Sequence, residues 1–161
     1  GCGWGSISIL FSKHVDKRIE IVGIDLDSSS MKHGKSLGYD IAFVRAHMGR
    51  LPFRDQVFGA ILSGKAIHEI GNKKERDSVL IEFARALKDK GTIYVLDLFA
   101  RSYVTKLIRY LLHILTRIEW YSQTNEFEND LKRRGFRIIR SDCIVCPPFR
   151  LNTLCSYIAT K

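Results

Sequence analysis

Long apolar segments and uninterrupted basic blocks are both missing from this sequence of 161 residues. No stretch of about eighteen apolar residues occurs, which by that criterion excludes a transmembrane helix. The net charge of +9 favours anionic partners such as nucleic acid, an acidic membrane surface or an acidic substrate. Because the Lys and Arg residues are spread along the chain, an ordinary basic surface is the simpler interpretation.

Cysteine is scarce, with only four in the chain. This number suits free thiols in a reducing cytoplasm. Cys143 and Cys146 form a C-x-x-C, which is compatible with half a zinc site or a redox pair. No second ligand pair with metal spacing follows, and on a predicted strand an offset of three places the two side chains on opposite faces. We therefore expect no metal.

The remaining composition is that of a globular protein, 45% hydrophobic and 27% charged. A chain of this length fits a single domain spanning residues 1–161. Apolar periodicity and turn residues predict alternating strands and helices. The predicted strands are 19–24, 41–44, 60–62, 92–98, 136–145 and 154–160, and the predicted helices include 28–37, 73–87 and 126–134.

The first residues, Gly1-Cys2-Gly3-Trp4-Gly5-Ser6, have glycine at alternate positions before an apolar-periodic run. This pattern predicts a tight turn that opens a helix and lets a ligand approach the backbone. Asp25 closes the next apolar run, where a carboxylate can accept hydrogen bonds from ribose hydroxyls. Capping of the following helix is the alternative role for this acid, but Asp27 and Ser28 are better placed for it.

The segment around Leu51-Pro52-Phe53-Arg54-Asp55 and Phe58 is the most specific in the chain. Together with the glycines it resembles the class I, Rossmann-like S-adenosylmethionine-dependent methyltransferases, in particular the group that includes the ubiquinone and menaquinone methylases. A packed loop without a ligand is the alternative for Pro52 and the two phenylalanines.

The resemblance implies an α/β fold with a doubly wound, mostly parallel sheet and an antiparallel C-terminal hairpin. In that family a central first strand precedes the glycine loop, whereas here the sequence starts at Gly1. We therefore expect an N-terminally truncated domain whose first central strand is missing. A sheet without that strand leaves unpaired edges, so the isolated residues are expected to fold poorly.

The resemblance also implies S-adenosyl-L-methionine as the cofactor. The glycine loop would admit its methionine end, Asp25 its ribose, and the loop at His47 its adenine. The family usually has an aspartate where this chain has His47, and a neutral histidine accepts at only one ring nitrogen. The residues expected to bind the cofactor are Gly1, Gly3, Gly5, Asp25, Leu26, His47, Met48 and Ser63.

His68 is the candidate catalytic residue. It follows the predicted strand 60–62, and ligands of open α/β sheets bind beyond the carboxyl ends of the strands. The histidine could act as a general base or orient the substrate. An equally simple role is a hydrogen-bonded histidine that ties its loop to the next helix.

Residues 102–120 have apolar side chains at helical spacing with basic residues between them. They predict an inserted amphipathic helix that forms a substrate lid or packs on the sheet, with Tyr103, Tyr110 and Trp120 as possible lid contacts. Peripheral contact with an anionic membrane is the alternative.

These features together predict a cytoplasmic methyltransferase that acts on a small-molecule or lipid-like acceptor. An RNA or protein methyltransferase that uses the basic surface is the first alternative, although nucleic acid is the less favoured partner because no base-reading motif follows the predicted strand 60–62. A catalytically inactive, binding-only domain is the second, since His47 departs from the family pattern.

Overall fold

The computed structural model describes residues 1–70, 72–100, 124–146 and 152–161. Predictions for residues 102–120, including the lid contacts Tyr103, Tyr110 and Trp120, lie outside this range. The chain divides into two compact units, Gly1–Pro52 and Phe53–Lys161, each of which is described separately. In the described part of the chain, no helix has both the length and the apolar character needed to cross a membrane.

The first unit consists of two helices and a two-stranded parallel sheet. Parallel pairing aligns Val22 with Ala42 and Asp25 with Arg45. Asp27 begins the second helix as its N-cap, because its carboxylate accepts hydrogen bonds from the backbone N–H groups of Ser29 and Ser30. The elements are α1 (Ser6–Ser12), β1 (Val22–Asp25), α2 (Ser28–Ser36) and β2 (Ala42–Arg45).

The second unit is built on a four-stranded mixed sheet with the strand order β3-β4-β6-β5. Strands β3 and β4 are parallel, and β6 pairs antiparallel with both β4 and β5. Its elements are β3 (Phe58–Gly64), a 3₁₀ helix (Ile67–Glu69), α3 (Lys73–Ala86), β4 (Leu87–Ala100), α4 (Thr124–Arg133), β5 (Arg137–Cys146) and β6 (Asn152–Thr160). The predicted α/β class and the antiparallel C-terminal pair are both confirmed.

One face of this sheet carries the core of the second unit. Alternation along β4 buries Ile93, Val95 and Phe99 on that face. Phe99 contacts the rings of Phe127 in α4 and Tyr157 in β6, with centroid distances of 5.3 and 5.5 Å. Three large aromatic side chains therefore hold α4 against the middle of the sheet.

Strand β4 is longer than the sequence predicted. Helix α3 ends at Ala86, and the next residue, Leu87, already pairs with Phe58 of β3. Residues 88–91, which separate the predicted helix 73–87 from the predicted strand 92–98, form a register irregularity inside the strand, where Lys90 has a left-handed φ of 62°. The predicted strand start at residue 92 was wrong, because pairing with β3 already begins at Leu87.

Arg85 connects α3 to the loop that contains Phe53 and Asp55. Its guanidinium donates two 2.8 Å hydrogen bonds to the Glu82 carboxylate. It also donates to the Phe53 carbonyl at 2.8 Å and to the Asp55 carboxylate at 2.7 Å, and these acidic partners raise the pKa of Arg85. Phe53 and Phe58 pack edge to face, 4.9 Å apart. Phe53, Asp55 and Phe58 therefore have a structural role within the second unit.

The expectation of free thiols was wrong for two of the four cysteines. Cys143 of β5 and Cys155 of β6 lie directly opposite each other and form a disulfide. Cys143 is thereby bonded to a residue outside the C-x-x-C. The sequence spacing had suggested only Cys146 as a partner to weigh for Cys143, because the strand register that places Cys155 opposite it is not visible in the sequence.

We expect reduction of the Cys143–Cys155 bond to destabilise the protein. A disulfide that closes a loop of twelve residues stabilises a fold by about 3 kcal/mol, because it restricts the unfolded chain. Thermal unfolding of the full-length protein with and without reductant measures the effect, and Cys143→Ser should remove the difference. Cys2→Ser is the control and should keep it, since Cys2 is a free thiol. A reductant effect that persists in Cys143→Ser would contradict the assignment.

Candidate functional site

The glycine loop of the first unit lies beside the end of β1. The Cys2 amide donates a 2.8 Å hydrogen bond to the Ile24 carbonyl, and the Gly5 amide closes a turn onto the Cys2 carbonyl at 2.9 Å. The Gly3 amide donates to Asp25 Oδ2 at 2.6 Å. Gly1, Gly3, Gly5 and Asp25 are therefore brought together, as the sequence predicted for one binding loop.

The glycines of the loop differ in what surrounds them. Gly3 has a left-handed φ of 54°, and a Cβ built there would have no atom within 4 Å. Gly5 is buried, and its Cβ would lie 2.9 Å from the ring of Phe43. Space for an approaching ligand is therefore found at Gly3, whereas Gly5 is required by internal packing.

A further glycine that the sequence did not single out supports this loop. Gly34 of α2 faces the loop so closely that a Cβ would lie 2.4 Å from the Trp4 carbonyl oxygen and 2.7 Å from the Phe43 ring. Gly23 of β1 also borders the Phe43 ring, at 3.3 Å. Phe43 thus occupies a volume that exists only because three surrounding residues have no side chain.

Asp25 retains acceptor capacity for a ligand. Its Oδ2 accepts from Gly3 and its Oδ1 accepts from the Asp27 amide at 2.9 Å, so each oxygen uses one of its two lone pairs. Partial burial acts to raise the pKa of Asp25, but hydrogen bonds from the backbone N–H groups of Asp27 and Gly3 outweigh it and lower the pKa below its ordinary value. The side chain is therefore an ionised acceptor at neutral pH.

The helix-capping role considered for Asp25 is filled by Asp27. Both carboxylate oxygens of Asp27 accept from the amides and hydroxyls of Ser29 and Ser30, which lowers the pKa of Asp27 strongly. Between the two acids stands Leu26, whose side chain is 54% exposed. An exposed apolar side chain directly after an acceptor offers a flat surface for a nucleobase beside its ribose.

The ring of His47 is held by its own loop. Its Nδ1 accepts a 3.1 Å hydrogen bond from the Gly49 amide. The neutral ring consequently carries its hydrogen on Nε2 and is a donor there. The acceptor role proposed from the sequence needs a ring nitrogen that Gly49 already uses, while Met48 lies within the same turn.

In the second unit, Ser63 and His68 flank the end of β3. Ser63 is buried at 9% exposure, and the strand ends one residue later at Gly64. Lys65 has a left-handed φ of 52° and donates from its amide to the Leu96 carbonyl of β4 at 2.8 Å. The chain then turns into the 3₁₀ helix that contains His68.

Asp97 is the residue that holds His68, and the sequence interpretation missed it. The carboxylate is only 1% exposed, and its Oδ2 accepts from the amides of Ala66, Ile67 and His68 at 3.2, 2.8 and 3.3 Å. Its Oδ1 accepts from the Leu98 amide at 2.7 Å and contacts His68 Nδ1 at 2.5 Å. An uncompensated buried charge would destabilise the fold, but five donors compensate this one.

One feature of the sequence could have identified Asp97 as a buried, hydrogen-bonded acid. In the strand Tyr94-Val95-Leu96-Asp97-Leu98-Phe99 the acid shares its face with Val95 and Phe99, both of which are buried. Charged residues are almost never fully buried unless they are paired. An acid at a core position of an apolar strand therefore indicates a specific hydrogen-bonding partner.

The first unit has a glycine loop and an acid at the end of β1, and the second unit has a polar loop after β3, as the resemblance to class I methyltransferases implies. A family model described as a methyltransferase domain matches residues 1–95, more than half of the chain. The chain belongs to that family.

Two curated relatives carry a more specific name than the family model. The ubiquinone/menaquinone biosynthesis C-methyltransferase UbiE of Erwinia tasmaniensis is 30% identical over 126 residues, which cover 72% of this chain and 49% of the relative. The protein of the same name from Yersinia enterocolitica is 28% identical over 135 residues, covering 77% of this chain and 52% of the relative. The chain thus spans about half the length of the curated relatives it matches.

Solved structures confirm the fold. A SAM-dependent methyltransferase from Methanosarcina mazei has a TM-score of 0.82 at 21% identity, with 100% of this chain and 89% of that chain covered. A geranyl diphosphate methyltransferase, solved in complex with GPP and sinefungin, has a TM-score of 0.80 at 11% identity, with 99% and 68% covered. At such identities the similarity is one of fold.

We expect Gly34→Ala to disrupt the glycine loop. The added methyl group has no room between the Trp4 carbonyl and the Phe43 ring, and overpacking of this kind costs about 1–3 kcal/mol. Thermal unfolding of the full-length protein measures the loss. Gly59→Ala is the matched control, because nothing lies within 4 Å of a Cβ at that position. Equal stability of the two variants would show that the close approach of α2 is not required.

Proposed function

We propose that the protein is a methyltransferase that binds S-adenosyl-L-methionine on the glycine loop and transfers its methyl group to a small, lipid-like acceptor. The observation that carries the proposal is the placement of Asp25. Its ionised carboxylate is docked on the Gly3 amide, and open space lies at the position where a Gly3 side chain would stand. A carboxylate next to a glycine without a covering group suits a ribose with two hydroxyl donors.

The residues of the first unit fit the cofactor. Asp25 has an unused lone pair on each oxygen for a ribose hydroxyl, and the exposed Leu26 side chain offers an apolar surface for the adenine ring. The open position at Gly3 admits the methionine portion. The cofactor supplies a sulfonium methyl group, and the protein contributes orientation and exclusion of water.

The acceptor is inferred from the relatives. Both UbiE proteins are named as C-methyltransferases of ubiquinone and menaquinone biosynthesis, so their names place them on the route to lipid-soluble quinones. We extend this acceptor class to the present chain. Peripheral contact of residues 102–120 with an anionic membrane would bring such an acceptor within reach, since a basic amphipathic segment is attracted to anionic lipid.

Transfer of a labelled methyl group tests the function directly. The full-length protein is given radiolabelled S-adenosyl-L-methionine and, in separate reactions, a short-chain prenylated hydroquinone, total RNA or a protein extract. Label in the hydroquinone supports the proposal. Label in RNA or protein instead would favour a macromolecular methyltransferase. If the protein does not bind S-adenosylhomocysteine, a catalytically inactive domain would be favoured.

We expect Asp25→Asn to weaken S-adenosylhomocysteine binding by about tenfold to a hundredfold, as for the loss of a hydrogen bond to a charged group. The carboxamide keeps one acceptor oxygen, so its NH₂ group faces one of the two backbone donors and the ribose loses an acceptor. Titration calorimetry on the full-length protein provides the dissociation constant. Asp40→Asn changes the charge equally at an exposed position and should bind normally. Unchanged affinity in Asp25→Asn would remove this residue from the site.

His47→Asp should strengthen S-adenosylhomocysteine binding by roughly tenfold, because a carboxylate accepts from the adenine amino group whereas Nε2 of the present tautomer donates. The same calorimetric titration measures the change. His14→Asp adds an equal charge at an exposed position in the same unit and serves as the control. If His47→Asp behaves like this control, His47 does not contact the adenine.

A further inference from the structure

Three residues of the sheet in the second unit form one row across its strands. Cys155 of β6 lies directly opposite Asp97 of β4 on one side and directly opposite Cys143 of β5 on the other. Residues directly opposite each other in antiparallel strands share a face of the sheet, with their Cβ atoms about 5 Å apart. The row therefore runs from the disulfide to the buried carboxylate that holds the loop after β3.

The two sulfurs of the disulfide differ in their access to solvent. Cys143 is exposed on β5, which is the last strand in the order β3-β4-β6-β5, whereas Cys155 is 0% exposed. A thiolate opens a disulfide by forming a bond to one sulfur while the other sulfur leaves. An external thiol therefore reaches the bond at Cys143, and Cys155 is the leaving group.

The hydrogen bonding of Asp97 leaves no acceptor site for a further donor. Four backbone amides, those of residues 66–68 and of Leu98, donate to its two oxygens, and Nδ1 of His68 contacts Oδ1. An ionised carboxylate has about four lone-pair sites in total. While Cys155 is part of the disulfide it carries no S–H group, so it does not compete with these amides for the carboxylate.

We propose that the Cys143–Cys155 disulfide is a redox-sensitive control of the loop of residues 66–68 that Asp97 holds. The thiolate of a monothiol such as glutathione forms a bond to the Cys143 sulfur while the bond between the two cysteines breaks, and the electron pair stays on the Cys155 sulfur. Burial and the neighbouring carboxylate disfavour a charge there, so this sulfur takes up a proton and becomes a thiol donor. The new donor competes with the loop amides for Asp97. Return attack of Cys155 on Cys143 releases the monothiol and reverses the change.

Peptide mapping tests which sulfur is attacked. In a Cys2→Ser, Cys146→Ser background, the full-length protein contains only the two cysteines of the disulfide. After incubation with reduced glutathione and acid quenching, mass spectrometry should locate the adduct on Cys143 and not on Cys155. The same incubation in denaturant should place it on both, because unfolding exposes the second sulfur. An adduct on Cys155 in the folded protein, or a bond that resists glutathione until the protein unfolds, would overturn the proposal.

The amide protons of residues 66–68 report the effect on the loop. Excess dithiothreitol reduces the disulfide to two thiols and is itself oxidised to a cyclic disulfide. In NMR spectra of the full-length protein in the same background, at least one of these amide protons should then shift upfield, because its hydrogen bond to Asp97 weakens. The amides of Gln56 and Val57, which donate to carbonyls at the end of α3, should keep their positions. Unchanged positions of all three loop amides would contradict the control of the loop.

Two variants separate the new donor from the lost covalent link. Both Cys143→Ser and Cys155→Ala lack the disulfide, but only Cys143→Ser keeps a thiol beside Asp97. At residues 66–68, Cys143→Ser should resemble the reduced protein with or without reductant, whereas Cys155→Ala should resemble the oxidised protein. An equal shift in both variants would assign the change to the lost link and overturn the role of the thiol. None of these measurements requires methyl transfer, so their outcome is independent of the proposed function.

Discussion

Carboxylates that accept hydrogen bonds from backbone N–H groups hold the loops that lie beside the ends of the strands. In the first unit Asp25 binds the amides of Gly3 and Asp27, which keeps the glycine loop against the end of β1. In the second unit Asp97 binds three consecutive amides of the 3₁₀ helix. Loops contain amides that no helix or sheet satisfies, and an ionised acceptor both satisfies and orders them.

Within the first unit, this hydrogen bonding works only because the packing around Phe43 allows the loop to come close. The ring fills the space that Gly5, Gly23 and Gly34 leave open. A helix, a strand and a loop therefore meet around one aromatic side chain, and any Cβ added at the first or last of these glycines meets it at less than 3 Å. Open space at Gly3 and tight packing at Gly5 are separate features of one alternating motif.

The geometry of the glycine loop could be predicted from sequence because its signals are local. Glycines at alternate positions, an acid at the end of an apolar run and a separate cap at Asp27 occur within 27 residues, and the structure brings them together as expected. That Asp27 and not Asp25 caps the following helix also followed from the neighbouring residues. His47 was harder, because its tautomer depends on the amide of Gly49 and not on residue type.

The amino-acid sequence by itself determined the α/β class, the order of the elements and the position of the glycine loop, since these follow from periodicity and from residues close in the chain. Only the tertiary structure decided the partners of Asp97 and of Cys155. The parallel pairing of β3 with β4 brings the residues after Gly64 next to an acid about thirty positions later. The register of β5 against β6 selects Cys143 for Cys155. Both outcomes depend on strand alignment, which is set by the packing of whole faces of the sheet and leaves no local trace in the sequence.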